Sequence, residues 1–364
     1  MKIGIITVHR AHNCGAMLQA LALQQALRRI GHSPEFIEAN TIGEGKVFPD
    51  CPRAWRLWPF YLKNLALSLG LRAIKIRLFK RFLRHLALSR RFGSADEIPE
   101  QEYDAFIVGS DQVWNFNIVK DTRLFLLDFC TDDGKRLAYA ASFGLSLIPP
   151  AWDEPLRSAL LRYRVITVRE ERAAELVESL TGTKPSVVLD PTLLLAASDY
   201  LPYEAPRLIH GPYVLVYSIG AAPEYMLKIG RQLARKRKCR LVYVNATSFG
   251  NWLRVLGEYQ LISPDRFLSF IKYAQCVVCT SYHATIFSLQ YRRPFLTILP
   301  QGSQVTSRLT SLLNRLRLSG HILKEGDPTD GVEAMLAAPF DEVHAQIAVL
   351  RAESVERLKA MTSR

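Results

Sequence analysis

The stretch YDAFIVGSDQVWN, over 103–115, holds the densest group of residues that could do chemistry. Its apolar run over 105–109 has the length and composition of a buried strand in a parallel sheet. Ser110, Asp111 and Gln112 follow directly and supply a hydroxyl, a carboxylate and an amide. Ligands of open α/β sheets bind at the carboxyl ends of strands, so this position predicts a ligand site. Alternatively, Ser110 caps a helix and its two neighbours satisfy loop amides.

Two further features would complete such a site. Trp114 offers an apolar wall with one N–H donor. Nearer the start, Gly15 opens a predicted helix directly after the first strand and a short polar loop that contains Asn13. The free N–H groups at the start of a helix attract anions. The pattern is not GxGxxG, so a dinucleotide site is not indicated, and a tight βα turn is the alternative.

Strands and helices alternate along the chain to about residue 195, and the alternation begins again near residue 213. Three prolines and a glycine over 201–212 indicate a linker. The predicted fold is α/β, with two Rossmann-like domains whose parallel sheets face a cleft. We expect the first domain over 1–200, the second over 211–330, and a helical tail over 331–364 that could pack back on the first domain.

Composition narrows the class of protein. A chain of 364 residues normally forms more than one domain. The sequence has no run of 18 apolar residues and starts directly in a strand without a signal-peptide pattern, which favours a cytoplasmic protein. Reduced cysteines are expected there. Cys276 and Cys279 form a CxxC inside an apolar strand, where residues three apart face opposite sides, so we expect no metal site.

The net charge of +13 is concentrated in one segment. Between Cys51 and Ala95 there are eleven Lys and Arg and no acidic residue, which favours an anionic partner. The segment 53–92 is predicted to be a basic helical insertion, with one apolar helical face formed by Ile74, Leu78, Phe82 and Leu86. It could lie on an anionic membrane surface at the inner face of the plasma membrane, or simply be a domain helix with a solvated basic face. No nucleic-acid-binding module surrounds it, so nucleic acid is not an expected partner.

Several ordered blocks together resemble the polysaccharide pyruvyl transferase family. They are IGIIT with N-x-G-A-x-LQA-x-ALQ near the start, DAFIVGSDQVWN, YAASFG, VREE, VVLDPTLLL and T-SYHA-x-IFSLQ. The resemblance extends from about residue 2 to 318. It implies two Rossmann-like domains similar to GT-B glycosyltransferases, with phosphoenolpyruvate as co-substrate and no other cofactor. The implied product is a pyruvate ketal that bridges two hydroxyls of a glycan or lipid-linked oligosaccharide in cell-surface polysaccharide biosynthesis, such as exopolysaccharide or capsule.

Ketal formation needs a general acid that protonates the methylene carbon of phosphoenolpyruvate, and histidine suits this role near neutral pH. His283 lies where a predicted strand ends and a helix begins, and the resemblance makes it the expected acid. Family members often have Arg-x-His here, whereas this chain has Ser281 in place of the Arg, followed by Tyr282, and we expect both to contact the donor. Arg308 and Arg169 each follow a strand and could supply the missing cation for the donor; each could also be an ordinary ion-paired Arg.

The acceptor would meet the first-domain side of the cleft. We expect the acceptor-binding residues to be Asn13, Gly15, Ser110, Gln112 and Trp114. Asp111 would act as base for the attacking hydroxyl or would orient it. Two other functions stay open: glycosyl transfer from a nucleotide sugar, which the two-domain fold would suit equally well, and glycan binding without catalysis.

Overall fold

The computed structural model describes residues 1–39, 70, 73–119, 121–220, 222–245, 261–300 and 307–363. Residues 53–69, 71 and 72 of the basic segment lie outside the described residues, and so does Cys51. Within the described ranges, the chain forms two parallel sheets, each covered by helices.

The first domain contains a seven-stranded parallel sheet in the order β3-β2-β1-β4-β5-β6-β7. Its strands are β1 (Lys2–Ile6), β2 (Ser33–Glu38), β3 (Leu88–Arg91), β4 (Ala105–Asp111), β5 (Arg136–Ala141), β6 (Val165–Val168) and β7 (Ser186–Val187). Its helices are α1 (Cys14–Arg29), α2 (73–82), α3 (Thr122–Phe125), α4 (Asp153–Leu160) and α5 (Glu171–Thr181). The chain builds outward from β1 on one side and then crosses to β4 on the other, so the strand order reverses between β1 and β4.

The second domain has a five-stranded parallel sheet in the order β12-β11-β10-β8-β9. Its strands are β8 (Tyr213–Ser218), β9 (Arg240–Asn245), β10 (Cys276–Cys279), β11 (Phe295–Leu299) and β12 (Ile322–Lys324). Its helices are α6 (Glu224–Lys236), α7 (Pro264–Lys272), α8 (Tyr282–Gln290) and α9 (Ser307–Arg315). Here the order reverses between β8 and β10. One continuous apolar core contains residues of both domains, including Leu21 from α1 and Phe287 from α8.

The last helix, α10 (Phe340–Thr362), contacts the first domain. The Ser354 hydroxyl accepts a hydrogen bond from the Leu189 backbone N–H (3.0 Å), and Arg164 donates to the Met361 carbonyl (2.7 Å). In the predicted linker, a 3₁₀ helix over Ala197–Tyr203 precedes an irregular segment over 204–212.

The end of the basic segment differs from the sequence prediction. Helix α2 ends at residue 82, and 88–91 form β3, which pairs with β2 instead of continuing a helix. The buried face of α2 contains Lys75, Phe79 and Phe82, whereas Ile74 is 46% exposed. The prediction was therefore right for Phe82 and Leu86, whereas Lys75 and Phe79 take the buried positions expected for Ile74 and Leu78, and the Lys75 ammonium lies 5.7 Å from the Phe79 ring centre.

Candidate active site

The points of strand reversal in the two sheets face each other across a cleft of about 180 Å³. Four of the segments that line it follow a central strand: residues between Val8 and Ala16 after β1, Asp111 and Gln112 at the end of β4, Ile219 after β8, and Thr280 to His283 after β10. The lining also includes Ile118, the end of β11 (298–300) and, from α9, Arg308 and Leu309. Open α/β sheets bind ligands at such points of strand reversal. The cleft between the domains is therefore the candidate active site.

Arg169 is the centre of the ion pairs below the cleft, and its side chain is fully buried. One guanidinium nitrogen lies 2.7 Å from Asp190 Oδ2, and the other lies 3.2 Å from Asp111 Oδ1. The same Asp190 oxygen accepts a hydrogen bond from the Ser110 hydroxyl at 3.0 Å. Arg169 thus ties the ends of β4 and β6 to the segment after β7, and its guanidinium lies 5.1 Å from the ring centre of Tyr282 in the second domain.

Arg308 approaches the same place from α9, in the second domain. Its side chain is 8% exposed and lies 3.8 Å from Asp111 Oδ1, and its guanidinium is 5.9 Å from the Tyr282 ring centre. Among the residues that the structure describes, the Arg308 Nε has no hydrogen-bond partner. A buried cation with an unused donor at the wall of a cleft is suited to binding an anion.

His283 lies at the first turn of α8, with its Nε2 3.7 Å from Asp190 Oδ2. That distance is too long for a hydrogen bond but allows attraction when the ring is protonated. The other side of the ring rests on the first turn of α1: a Cβ added at Gly15 would lie 2.2 Å from His283 Nδ1. Gly15 therefore sets how closely the imidazole can approach the first domain.

Burial and the two arginines determine the ionisation of the carboxylates. Burial alone would raise the pKa of Asp190, but His283, Arg169 and Thr192 together hold it well below its usual range. Burial likewise opposes ionisation of Asp111, and Arg169, His283 and Arg308 outweigh it, so the pKa of Asp111 is also lowered. Burial and the nearby Arg169 charge lower the pKa of Arg308. An aspartate with a lowered pKa is a weak base, so orientation of a hydroxyl suits Asp111 better than proton abstraction.

Asp111 also has an unusual backbone, with φ of 76°, in the left-handed region that disfavours residues with a Cβ. The contacts of Arg169 and Arg308 with its carboxylate offset the free-energy cost of that conformation. Its neighbour Gln112 lines the cleft, and its amide oxygen accepts a hydrogen bond from Asn115 at 2.9 Å, which fixes the amide.

Of the remaining predicted site residues, some line the cleft and one is buried below it. Asn13, Ser281 and Tyr282 line the cleft. The Asn13 and Ser281 side chains cap α1 and α8. Asn13 Oδ1 accepts hydrogen bonds from the N–H groups of Gly15 and Ala16. The sequence predicted that these N–H groups would be free to bind an anion, but this cap already occupies them. Ser110 is fully buried below the cleft, where its hydroxyl donates a hydrogen bond to Asp190 and accepts one from Arg169 at 3.3 Å.

Trp114 corrects the sequence prediction. It is fully buried in the first-domain core, packed on Phe143 and Tyr163, and does not line the cleft. Conversely, sequence reasoning missed Asp190 and Glu170. Both follow predicted strands directly, at the ends of VVLD and ITVRE, which is the same signal that identified Asp111.

Gly15→Ala should displace the His283 ring, because the new methyl would also lie 2.4 Å from its Cγ. Overpacking of this kind costs about 1–3 kcal/mol of stability, and a shift of about 1 Å in a reacting group can cost about 100-fold in rate. Urea unfolding and turnover measure the two effects. Gly320→Ala is the matched control, since nothing lies within 4 Å of its added Cβ; equal turnover in both variants would contradict the proposed contact.

In the part of the chain that the structure describes, no three His, Cys, Asp or Glu side chains are grouped to hold a metal ion. Likewise, none of the described helices is both long and apolar enough to cross a membrane.

The architecture is that of GT-B proteins. Two UDP-N-acetylglucosamine 2-epimerases are similar: that of Neisseria meningitidis (10% identity, TM-score 0.50, covering 98% of this chain and 100% of the other) and that of Rickettsia bellii (9% identity, TM-score 0.51, covering 98% and 97%). Trehalose-6-phosphate synthase OtsA is also similar (11% identity, TM-score 0.51, covering 99% and 97%). At these identities the likeness shows the fold alone.

The sequence itself defines the family. The family model for polysaccharide pyruvyl transferase matches residues 13–301, which is most of the chain. This protein therefore belongs to the polysaccharide pyruvyl transferase family, and membership implies a transferase. No curated protein sequence matches the chain.

Proposed function

We propose that the protein transfers the enolpyruvyl group of phosphoenolpyruvate to two hydroxyls of one sugar in a glycan or lipid-linked oligosaccharide. The methylene carbon gains a proton, and the first sugar hydroxyl adds to C2 and loses its proton. The C2–phosphate bond then breaks and inorganic phosphate leaves. The second hydroxyl adds to C2 and loses its proton, which completes the ketal.

The observation that carries the proposal is the pair of buried guanidiniums, Arg169 and Arg308, both close to the Tyr282 ring centre (5.1 and 5.9 Å) and both beside Asp111 Oδ1 (3.2 and 3.8 Å). Phosphoenolpyruvate has two anionic groups, a carboxylate and a phosphate, that need cationic donors. Arg308 lines the cleft, and its Nε has no partner among the described residues, so it is the better placed of the two to bind the donor directly. These two arginines would compensate for Ser281, which stands where relatives often have Arg.

His283 is the proposed acid. It lines the same cleft as Arg308, its Nε2 lies 3.7 Å from the Asp190 carboxylate, and it would give its proton to the methylene carbon. Asp111 would orient the attacking hydroxyl, with the Asn13 and Gln112 amides completing the acceptor side.

We further propose that the acceptor is presented at an anionic membrane surface on the cytoplasmic side, where the basic segment 53–92 would contact lipid head groups. The charge of that segment supports this proposal, since eleven Lys and Arg stand there without an acidic residue.

Donor binding is tested by thermal melting with phosphoenolpyruvate. A ligand at about a hundred times its Kd stabilises a protein by about 2.7 kcal/mol, which should raise the melting temperature by a few degrees. Arg308→Ala should abolish the shift, whereas Arg231→Ala, which removes a surface ion pair with Glu224 on α6, should preserve it.

Two outcomes would contradict the proposal. A shift with UDP-N-acetylglucosamine, the nucleotide sugar in the names of the similar epimerases, and none with phosphoenolpyruvate would favour glycosyl transfer from a nucleotide sugar. Glycan binding without release of inorganic phosphate from phosphoenolpyruvate would favour a binding protein.

A further inference from the structure

The ionic cluster below the cleft has more acids than an anion-binding site should have. Arg169 and Arg308 face three buried carboxyl groups: Asp111, Asp190 and Glu170. With all three ionised, the carboxylates outnumber the two guanidiniums, and a protonated His283 would bring the cluster only to neutrality, so the cluster has no net positive charge to attract a donor that carries a carboxylate and a phosphate. Neutralising one acid would give the cluster that positive charge.

Hydrogen bonding distinguishes Glu170 from the two aspartates. Asp190 accepts hydrogen bonds from Ser110, Arg169 and Thr192, all between 2.6 and 3.0 Å. Glu170 Oε2 is buried and has no hydrogen-bond partner among the described residues, and Arg169 Nε, 3.6 Å away, also has none. A buried carboxylate oxygen without a donor is costly while it is charged and is relieved when it is protonated.

The groups around Glu170 shift its pKa in opposite directions. Arg169 and Arg308 favour its ionised form, while Asp190 opposes it. The fourth contact is the Ser142 hydroxyl, which donates a hydrogen bond to Oε1 at 2.6 Å and also favours the ionised form. Tyr282, from α8, also faces the group but is held neutral because burial raises its pKa. Burial is the largest influence on Glu170 itself and raises its pKa above the usual value.

We propose that Glu170 takes up a proton from solvent as the anionic donor enters, so that Arg169 and Arg308 can turn their charge towards the donor. The inference rests on the proposed use of phosphoenolpyruvate. Glu170 is a positioning residue: it does not line the cleft. It would act by setting the net charge of the cluster and by weakening its ion pair with Arg169, whose Nε lies 3.6 Å from Oε2.

Calorimetry of phosphoenolpyruvate binding tests this directly. Titrations in two buffers with different ionisation enthalpies give the number of protons bound with the donor. Each is repeated at several pH values on both sides of neutrality, because burial raises the pKa of Glu170 above its usual value. Wild type should take up close to one proton more than Glu170→Gln, and donor affinity should fall more steeply with rising pH in wild type. Glu175→Gln, an exposed acid on α5, is the matched control and should behave like wild type.

A second variant guards against misfolding of the first. Ser142→Ala removes a hydrogen bond that favours the ionised carboxylate, so the window of proton uptake should move to higher pH. Equal proton numbers in wild type and Glu170→Gln, with Ser142→Ala unchanged, would overturn the inference and leave the proposed function standing. Absence of phosphoenolpyruvate binding to wild type would overturn both.

Discussion

His283→Asn is expected to reduce turnover by about 10²–10⁴-fold, the usual contribution of a general acid, while the protein stays folded and still binds phosphoenolpyruvate. Asn keeps a polar side chain but cannot give up a proton near neutral pH. The Nε2 of His283 has no hydrogen-bond partner among the described residues, so the fold loses little when the ring is removed. Inorganic phosphate release and thermal melting measure the two properties separately.

His321→Asn is the matched control, because His321 is also buried in the second domain but lies outside the cleft. Its Nδ1 lies 3.1 Å from the Phe295 carbonyl and its ring stacks on Phe295. We expect it to lower stability by about 1 kcal/mol with turnover per folded molecule unchanged. Near-normal turnover in His283→Asn would remove His283 from the role of acid.

The central strands were readable from the sequence because their signal is local. The apolar run over 105–109, just before Ser110 and Asp111, correctly predicted β4. The strand itself extends to Asp111, two residues beyond the predicted run. The chain around Cys276 likewise gave β10 and the turn into α8. Both strands are buried on two faces by helices, and such strands must be apolar throughout.

Two strands on one side of the first sheet, β2 and β3, could not be recognised in the same way. β2 reads SPEFIE and β3 reads LSRR, and β3 is a short edge strand. Edge strands carry charged residues and no continuous apolar run. β2 pairs with β1, and β3 pairs with β2, each with a strand that is distant in sequence. The local pattern therefore predicted a helix that includes 88–91, whereas pairing with β2 makes these residues a strand.

The ionic cluster shows a different limit. Arg169 and Arg308 were each predicted as donor-binding residues, yet no pattern showed that both would contact Asp111. Their meeting depends on how the two domains pack, which involves residues 139 positions apart. The prediction for Trp114 was wrong for a different reason. Its polar neighbours in the sequence suggested that it lines a ligand site, whereas its side chain fills space in the first-domain core.

Arg169→Met should give the largest loss of stability. Removing one partner from a buried ion pair costs about 3–5 kcal/mol, because an uncompensated charge is left behind. Here two carboxylates, Asp190 and Asp111, would lose their closest cation. Arg123→Met is the control: Arg123 and its partner Asp96 are both more than half exposed, and such surface pairs contribute about 0–1 kcal/mol.

The pH dependence of this loss follows from the lowered pKa values of Asp190 and Asp111. A lowered folded-state pKa stabilises the protein above the unfolded pKa of about 4, and that stabilisation is lost as the pH falls towards the folded-state value. In Arg169→Met the aspartates can be protonated at higher pH, which relieves the buried charge. The stability gap to wild type, measured by urea unfolding, should therefore be largest near neutral pH and narrow on acidification. A gap that stays constant between about pH 7 and about pH 4 would mean that Arg169 stabilises the fold by packing alone and that the aspartates do not depend on its charge.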